Sequence, residues 1–147
     1  MITVRDARAG DEQAWRRLWA GYLAFYEAEV PAATTDATWT RVLDPQNPMF
    51  TRLAERDGQI VGFANSVLHE ATWTMDPSCY LEDLFVDPAA RGCGVGRRLI
   101  QDLVDLGRER RWARLYWHTR GDNAVARQLY DSFVEADPFV RYRLLLK

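Results

Sequence analysis

Residues 78–100 read SCYLEDLFVDPAARGCGVGRRLI, which combines an apolar strand, a glycine-rich basic turn and the start of a helix. Gly92, Gly94 and Gly96 let the backbone turn tightly with no side chain between its N–H groups and a ligand. The helix that begins there adds the positive end of its dipole, and three arginines between positions 91 and 98 add formal charge. Such a turn suits a pyrophosphate better than a carboxylate, so the stretch predicts a nucleotide-like cofactor held by its phosphates.

Two common phosphate-binding motifs do not fit this stretch. A Walker loop needs Gly-x-x-x-x-Gly-Lys followed by Ser or Thr, and the chain has no such sequence. A dinucleotide-binding loop is followed about 20 residues later by an acid at the end of the next strand. The next strand here, 113–118, has no acid. What remains is RGCGVG at 91–96, an Arg-x-x-Gly-x-Gly motif directly after a strand.

This motif resembles the pyrophosphate loop, Gln/Arg-x-x-Gly-x-Gly/Ala, of the GNAT superfamily of acetyl-CoA-dependent N-acetyltransferases, and the stretches 80–86 and 123–130 strengthen the match. An ordinary helix-start turn is the alternative for the glycines alone. The resemblance implies acetyl-CoA as cosubstrate, with its pantetheine amides paired to the main chain of Leu84, Phe85 and Val86. It also implies a pyrophosphate site formed by Arg91, Gly92, Cys93, Gly94, Val95, Gly96 and Arg97.

The composition excludes several classes of protein. A chain of 147 residues is one domain, 1–147, that buries roughly two-thirds of its unfolded surface. Its formal net charge of −2 disfavours nucleic acid as a partner and leaves room for a cationic substrate. Because it has neither a signal-peptide core nor a bilayer-spanning apolar run, we expect a cytoplasmic protein with no membrane partner. Cys79 and Cys93 form no cluster with histidine, so no metal is expected, and Cys93 is interpreted as a small loop residue.

Hydrophobic periodicity divides the chain into elements in the order β-α-α-β-β-β-α-β-α-β. The predicted strands are 2–6, 50–55, 59–69, 80–86, 113–118 and 139–145, and the predicted helices are 11–31, a shorter one after Thr35, 94–110 and 123–131. Hairpins mixed with two crossovers predict a mixed sheet in an α/β fold with α+β character. This is also the element order of a GNAT domain, and the resemblance implies helices on both faces of the central sheet.

Acetyl transfer to an amine requires two proton movements. A lysine-like amine with a pKa of about 10.4 is unprotonated in only roughly one molecule in 2,500 at pH 7, so a base must help. The departing thiolate needs a proton, and a tyrosine with a pKa near 10 is well matched to a thiol with a pKa of about 8.5 to 10.

Tyr130 is the candidate acid. Asn123, Arg127 and Tyr130 stand at i, i+4 and i+7, so they share one face of the predicted helix. GNAT enzymes commonly place an Asn at the start of this helix beside the pantetheine arm and a Tyr near its end beside the sulfur. The resemblance carries these roles to Asn123 and Tyr130 and assigns Ala126 and Arg127 to the cofactor as well. The residues alone also allow core packing for Tyr130, a plain N-cap for Asn123 and a solvated position for Arg127.

Glu82 is the candidate base. By strand alternation Glu82 and Asp83 face opposite sides, so only one of them is expected on the cofactor side. Polyamine and thialysine acetyltransferases carry a similar Tyr-Leu-Glu-Asp-x-Phe-Val stretch, in which the Glu lies by the substrate amine and can act through water, and this resemblance selects Glu82. The alternative is an ion pair with an arginine such as Arg5 or Arg120, and this is the role expected for Asp83.

Four further residues are candidates for contact with the acceptor. The end of the first helix resembles the Tyr-Glu end of the same helix in polyamine acetyltransferases, where acids meet a cationic substrate, which implicates Glu27 and Glu29. Trp39 and His69, together with Glu70 and Trp73, could line an aromatic, acidic mouth suited to an ammonium group. Each of the four has a plainer alternative as a structural or solvated residue.

The closing stretches 117–123 and 139–142 resemble the fungal histone and polyamine acetyltransferase branch, which acts on histone tails, small basic proteins, polyamines or D-amino acids and forms dimers. A Gly-Phe that many members have after the catalytic-position Tyr is absent from 132–139, which leaves the shape of the last loop open. Because the terminal strand 139–145 is more apolar than an exposed edge should be, we expect a homodimer with this strand in or near the interface.

Together these observations predict an acetyl-CoA-dependent N-acetyltransferase that acts on a primary amine of a small molecule: a polyamine, an amino acid or a lysine-like amine. Two alternatives stay open. One is a protein-lysine or histone-tail acetyltransferase, and the other is a GNAT-like domain that binds CoA without catalysis.

Overall fold

The computed structural model describes residues 1–147 and is organised around a five-stranded sheet in the order β1-β2-β3-β4-β5. The strands are β1 (Ile2–Asp6), β2 (Met49–Arg56), β3 (Gln59–Ala71), β4 (Thr74–Val86) and β5 (Arg114–Tyr116). The pairs from β1 to β4 are antiparallel and the β4–β5 pair is parallel. The mixed sheet is therefore confirmed.

Four helices cover the two faces of this sheet: α1 (Glu12–Phe25), α2 (Ala32–Leu43), α3 (Val95–Arg110) and α4 (Ala124–Asp131). Side chains of successive strand residues point to opposite faces, so neighbours such as Leu53 and Ala54 enter different clusters. One cluster contains Trp15, Leu18 and Trp39 from α1 and α2, and the other contains Val95, Leu99, Ile100 and Leu103 from α3. Helices on both faces are thus confirmed.

Two element boundaries differ from the predicted ones. The helix α1 ends at Phe25, because the chain turns at Tyr26 and Glu27, where Glu27 has a left-handed φ of 51°. Pro31 does not end α1; it lies directly before α2, which begins at Ala32 and not after Thr35. A proline is well tolerated there because the first N–H groups of a helix have no partner within the helix.

The strand β4 begins at Thr74, six residues before the predicted start at Tyr80. Asp76 and Pro77 are poor strand formers, so the sequence pattern did not predict the first half of β4. Pairing with β3 overrides this local preference and makes a long hairpin in which Ser78 lies opposite His69. No helix is both long enough and apolar enough to cross a bilayer.

In the single chain, residues 139–145 do not form the predicted last strand, so this prediction is wrong. This segment pairs with no strand, which leaves β5 at the edge of the sheet. A strand needs a partner for its backbone N–H and C=O groups, and in the single chain this segment does not pair with the open edge of β5. Its apolar side chains are each at least 71% exposed: Phe139, Val140, Tyr142, Leu144, Leu145 and Leu146.

Candidate active site

The strands β4 and β5 lie at one edge of the sheet and separate after a short paired stretch. They share the register pairs Ser78–Arg114, Cys79–Leu115 and Tyr80–Tyr116, after which β5 ends while β4 continues for six residues. Leu84, Phe85 and Val86 pair with β3 on one edge and have no strand on the other. Their side chains pack into the two cores, so the open edge offers main-chain groups, as the sequence predicts for these residues.

The glycine loop joins the end of β4 to α3 through a short 3-10 turn at Pro88–Ala90. Gly92 and Gly94 have left-handed φ values of 79° and 82°, a conformation that an L residue rarely adopts. A Cβ at either position would meet no atom within 4 Å, so the surface above both glycines is open. Gly94 is the N-cap of α3 and no side chain caps this helix. The first-turn N–H groups of α3 are therefore available to an anion.

Gly96 has a packing role that the sequence did not indicate. A Cβ there would lie 3.2 Å from the Leu129 side chain, so the missing side chain lets α3 and α4 approach each other. Val95, beside it, is buried in the α3-side core. Gly96 thus sets the distance between the two helices that flank the opening.

The two arginines at the ends of the loop lie over aromatic rings. The Arg91 guanidinium is 5.6 Å from the centre of the Phe85 ring and 5.8 Å from that of Phe25, and its Nε donates to the Val86 carbonyl at 3.3 Å. The Arg97 guanidinium is 5.5 Å from the centre of the Phe133 ring. Both cations are held beside the loop by stacking and are not used by any carboxylate, which leaves their charge available. 

Cys93 is exposed at the tip of the loop, and its thiol contacts only the Arg91 carbonyl, at 3.8 Å. This environment has no base that would activate a thiol. No group of three or more His, Cys, Asp or Glu side chains is arranged to hold a metal ion.

Two predicted cofactor residues, Asn123 and Arg127, make hydrogen bonds at the start of α4. Asn123 caps the helix, since its side-chain oxygen accepts from the Ala126 N–H at 3.4 Å. Arg127 donates to the Gly121 carbonyl at 2.9 Å, so it braces the loop before α4. The plain N-cap role for Asn123 is therefore present in the structure, alongside any contact with the cofactor.

Tyr130 lies near the end of α4, half-buried, with its ring 5.6 Å edge-on from Trp117. Burial, with a smaller contribution from nearby Tyr26, raises the pKa of Tyr130 to about 12. The hydroxyl is thus fully protonated at neutral pH. The pKa of Tyr130 therefore lies further above that of a thiol than the ordinary tyrosine pKa of about 10 does. The pKa values of the acid and of the departing thiol are thus less closely matched than the sequence suggests. Such a hydroxyl first donates a hydrogen bond to the sulfur and transfers its proton as negative charge develops there.

A β-bulge at Glu82 changes the expected direction of the two acids. Leu81 pairs with Ser66 and Asp83 pairs with Asn65, so Glu82 is an extra residue without a partner. Because of the extra residue, Leu81 and Leu84 pack on the α3 side, whereas Asp83 contacts Asn65 on the α1 side. The bulge breaks the regular alternation on which the prediction of opposite sides for Glu82 and Asp83 depends. Both acids are close enough to Tyr22 of α1 to raise its pKa, so we infer that both lie toward α1.

Glu82 keeps an exposed surface, yet partial burial and the charge of Asp83 raise its pKa, and Arg141 of the C-terminal segment lowers it less. The prediction that Asp83 pairs with an arginine is also wrong. Arg5 pairs with Asp11 and Glu55, and Arg120 pairs with Asp122. Asp83 instead accepts a hydrogen bond from the Asn65 amide at 3.1 Å.

The four predicted acceptor residues do not form one mouth. Trp39 is 5% exposed and packs 5.3 Å from Trp15 in the core, so it cannot contact an acceptor. His69 accepts or donates a hydrogen bond with the Tyr116 hydroxyl at 2.7 Å, on the far end of the β3–β4 hairpin. Glu27 and Glu29 are exposed after α1.

An open cavity of about 350 Å³ joins parts of the site that are distant in sequence. It is lined by Phe25, Tyr26, Glu27, Arg120, Asp122 and Asn123, so it places Glu27 near the N-terminus of α4. A second cavity of about 370 Å³ lies between α1 and Arg91. Tyr26 is the residue here that sequence reasoning missed, because its helical spacing with Trp15, Trp19 and Tyr22 is also that of an ordinary core stripe.

Comparison with known proteins agrees with this geometry. The model of the acetyltransferase (GNAT) family matches residues 13–133. The D-amino-acid N-acetyltransferase HPA3 of Saccharomyces cerevisiae is 31% identical over 144 residues, covering 97% of this chain and 89% of that protein. A mycothiol acetyltransferase of Thermomonospora curvata is 32% identical over 143 residues, which cover 96% of this chain and 45% of that protein.

A solved structure, the aminoglycoside N-acetyltransferase AAC(6')-Iy in complex with CoA, is similar in fold, with a TM-score of 0.75 at 22% identity, over 98% of this chain and 95% of that chain. The family model covers most of the sequence, and a relative above 30% identity spans nearly all of it. The chain therefore belongs to the GNAT acetyltransferase family.

Proposed function

We propose that this N-acetyltransferase transfers the acetyl group of acetyl-CoA to a primary amine of a small molecule, with Glu82 as the base and Tyr130 as the acid. The observation that carries the proposal is the opening beyond Tyr80 and Tyr116. One of its sides is β4, which holds Glu82 in a bulge, and the α4 side holds a protonated, half-buried Tyr130. We infer that a proton acceptor and a proton donor flank this opening, which is the arrangement that amine acetylation requires.

Acetyl-CoA supplies the activated acetyl thioester, and the residues present fit it. The uncapped start of α3 and the left-handed Gly92 and Gly94 suit the pyrophosphate, with Arg91 and Arg97 adding charge. The open edge at Leu84–Val86 suits the pantetheine amides. Because Arg127 already donates to Gly121, we assign it to shaping the α4 loop.

The acceptor is proposed to be cationic: a polyamine, an amino acid or a lysine-like amine. Glu27 is exposed near the α4 N-terminus, Glu29 is exposed two residues further along the chain, and Glu82 has no ion-pair partner. The relative named as a D-amino-acid N-acetyltransferase supports a small acceptor. A protein lysine is the second candidate, because the cavity beside Glu27 is open to solvent and a peptidyl-lysine N-acetyltransferase of Escherichia coli is 27% identical over 113 residues.

An acceptor panel tests this proposal by following the release of free CoA thiol. The panel contains spermidine, several D- and L-amino acids, and a lysine-containing peptide with a blocked N-terminus. We expect the highest kcat/KM with a member of the small-amine set. A peptide that exceeds every small amine would replace the proposal with the protein-lysine function, and tight CoA binding with no thiol release from any acceptor would contradict both.

We expect Glu82→Gln to lower kcat/KM about 100-fold or more near pH 7, because an uncharged amide cannot accept the ammonium proton. The defect should shrink as the pH rises toward the amine pKa of about 10.4, where the acceptor loses its proton unaided. The wild-type enzyme should lose activity as the pH falls through the raised pKa of Glu82. A pH profile for both enzymes checks this, and a defect that stays constant at every pH would contradict the base assignment.

We also propose a homodimer in which the C-terminal segment 139–145 lies in or near the interface. Six apolar side chains of residues 139–146 are solvent-exposed in the single chain, and β5 is an open edge. Light scattering at micromolar concentration should therefore give twice the mass of the 17.0 kDa chain. Replacing Phe139, Tyr142 and Leu144 by serine should shift this mass to that of a monomer, whereas a monomeric wild type would overturn the proposal.

A further inference from the structure

Asp83 is a carboxylate held in an apolar setting without a cation. It is half-buried on the α1 side of the sheet, near Tyr22 of α1 and Asn65 of β3. No ion pair of the chain includes it. Because burying an unpaired carboxylate destabilises a fold, its presence beside Glu82 calls for a role other than stability.

A chain of polar side chains fixes this carboxylate in place. The Trp15 indole N–H donates to the Asn65 side-chain oxygen at 3.3 Å, and the Asn65 amide donates to Asp83 Oδ2 at 3.1 Å. Burial raises the pKa of the Asp83 carboxyl, and the contacts with the Asn65 amide and the Tyr22 hydroxyl oppose this rise because they stabilise the charged form. Trp15 is fully buried and Asn65 is 6% exposed, so the network is rigid at its base. Asp83 is thus oriented by three elements: α1, β3 and β4.

The bulge places this fixed charge on the same side of β4 as Glu82. Without the extra residue, alternation would put Asp83 on the α3 side and separate the two acids by the thickness of the sheet. The bulge therefore couples the residues electrostatically. The pKa of Glu82 agrees with this coupling, since partial burial and the charge of Asp83 both raise it.

We propose that Asp83 is a positioning residue for the base: held by Asn65 and Tyr22, its carboxylate fixes a negative charge beside Glu82, so that Glu82 takes the acceptor's proton more readily. This inference rests on the proposed function of Glu82. We assign the proton transfer to Glu82 and not to Asp83, because Glu82 keeps an exposed surface whereas the Asn65 amide and the Tyr22 hydroxyl stabilise the charged form of Asp83.

Several other side chains lie near Glu82 and Asp83 and bear on the pKa of Glu82. Tyr22 of α1 is neutral at physiological pH, because burial and the nearby acids raise its pKa. Tyr80 of β4 lies near Glu82, and Arg141 of the C-terminal segment lowers the pKa of Glu82. Asn65 is the polar neighbour from β3. Arg141 is thus the charged group that opposes Asp83, so removal of the Asp83 charge should move the Glu82 titration toward lower pH.

The test is the variant Asp83→Asn, which keeps the size of the side chain and can keep both hydrogen bonds. Carbon-13 NMR of protein labelled on its Glu and Asp carboxyl groups follows the Glu82 titration directly, and Glu82→Gln identifies its signal by loss. We expect the Glu82 midpoint to fall by about one pH unit in Asp83→Asn. Asp76→Asn is the matched control, since Asp76 is exposed in the same strand and its side chain makes no hydrogen bond.

Kinetics with spermidine as the probe give a second readout. In Asp83→Asn the acid limb of kcat/KM against pH should move to lower pH together with the NMR midpoint. A uniform loss at every pH, or a Glu82 midpoint that matches the Asp76→Asn control, would overturn the positioning role and leave Asp83 as a structural residue. A Glu82→Gln enzyme with a wild-type pH profile would contradict the base assignment, and the positioning role depends on that assignment. Failure of the positioning role is therefore detected in Asp83→Asn, and failure of the base assignment is detected in Glu82→Gln.

Discussion

Tyr130→Phe should lower the turnover number by about 100-fold or more while acetyl-CoA affinity stays unchanged. The phenyl ring keeps the edge-on contact with Trp117 and the packing of α4 on the α3-side core. Only the hydroxyl is lost, and with it the hydrogen-bond donor for the departing sulfur. The defect should lie in the chemical step, so it must appear in a single-turnover measurement as well as in steady state.

A matched control separates this effect from the loss of any tyrosine hydroxyl. Tyr142 is 93% exposed in the single chain, and Tyr142→Phe keeps the ring that the proposed dimer interface would use while it removes only the hydroxyl, so the single-turnover rate should stay at the wild-type value. A Tyr130→Phe enzyme with a normal single-turnover rate would make Tyr130 a packing residue. The acid would then be water or a neighbour such as Tyr26, whose proximity raises the pKa of Tyr130.

Gly94→Asp should weaken acetyl-CoA binding by about 100-fold, which corresponds to about 2.8 kcal/mol. Two physical effects act together. The new carboxylate stands at the N-terminus of α3 and repels the pyrophosphate, and an L residue at a φ of 82° distorts the loop that presents the N–H groups. Isothermal titration with CoA measures the affinity, and activity at low acetyl-CoA concentration should fall in parallel.

Gly58→Asp is the control for backbone strain. Gly58 has a φ of 76°, close to that of Gly94, and a Cβ there also meets nothing within 4 Å. It lies in the β2–β3 turn, so the variant carries the same strain and the same charge outside the loop. CoA affinity should stay at the wild-type value in Gly58→Asp. Equal affinities in a folded Gly94→Asp protein and in the wild type would refute the loop assignment.

The local features of the site could be predicted from the sequence. The strand, the glycine loop and the start of α3 follow one another within residues 78–100, and each depends on backbone conformations that neighbouring residues dictate. The mixed sheet and the β2–β3 hairpin at Asp57-Gly58 follow from short-range patterns in the same way. Nearby residues determine φ, turn type and helix start, so one sequence is enough to predict them.

Only the tertiary structure decided what surrounds the acids and the tyrosine. Asp83 shares a side with Glu82 because pairing with β3 inserts a bulge, and alternation read from one strand does not show an unpaired residue. Trp39 is core because α2 packs against Trp15, and the pKa of Tyr130 is raised because α4 buries it near Tyr26. The segment 139–145 forms no strand because a strand exists only with a partner. Pairing, burial and electrostatic coupling join residues far apart in the chain, so they are properties of the fold and not of any one stretch of sequence.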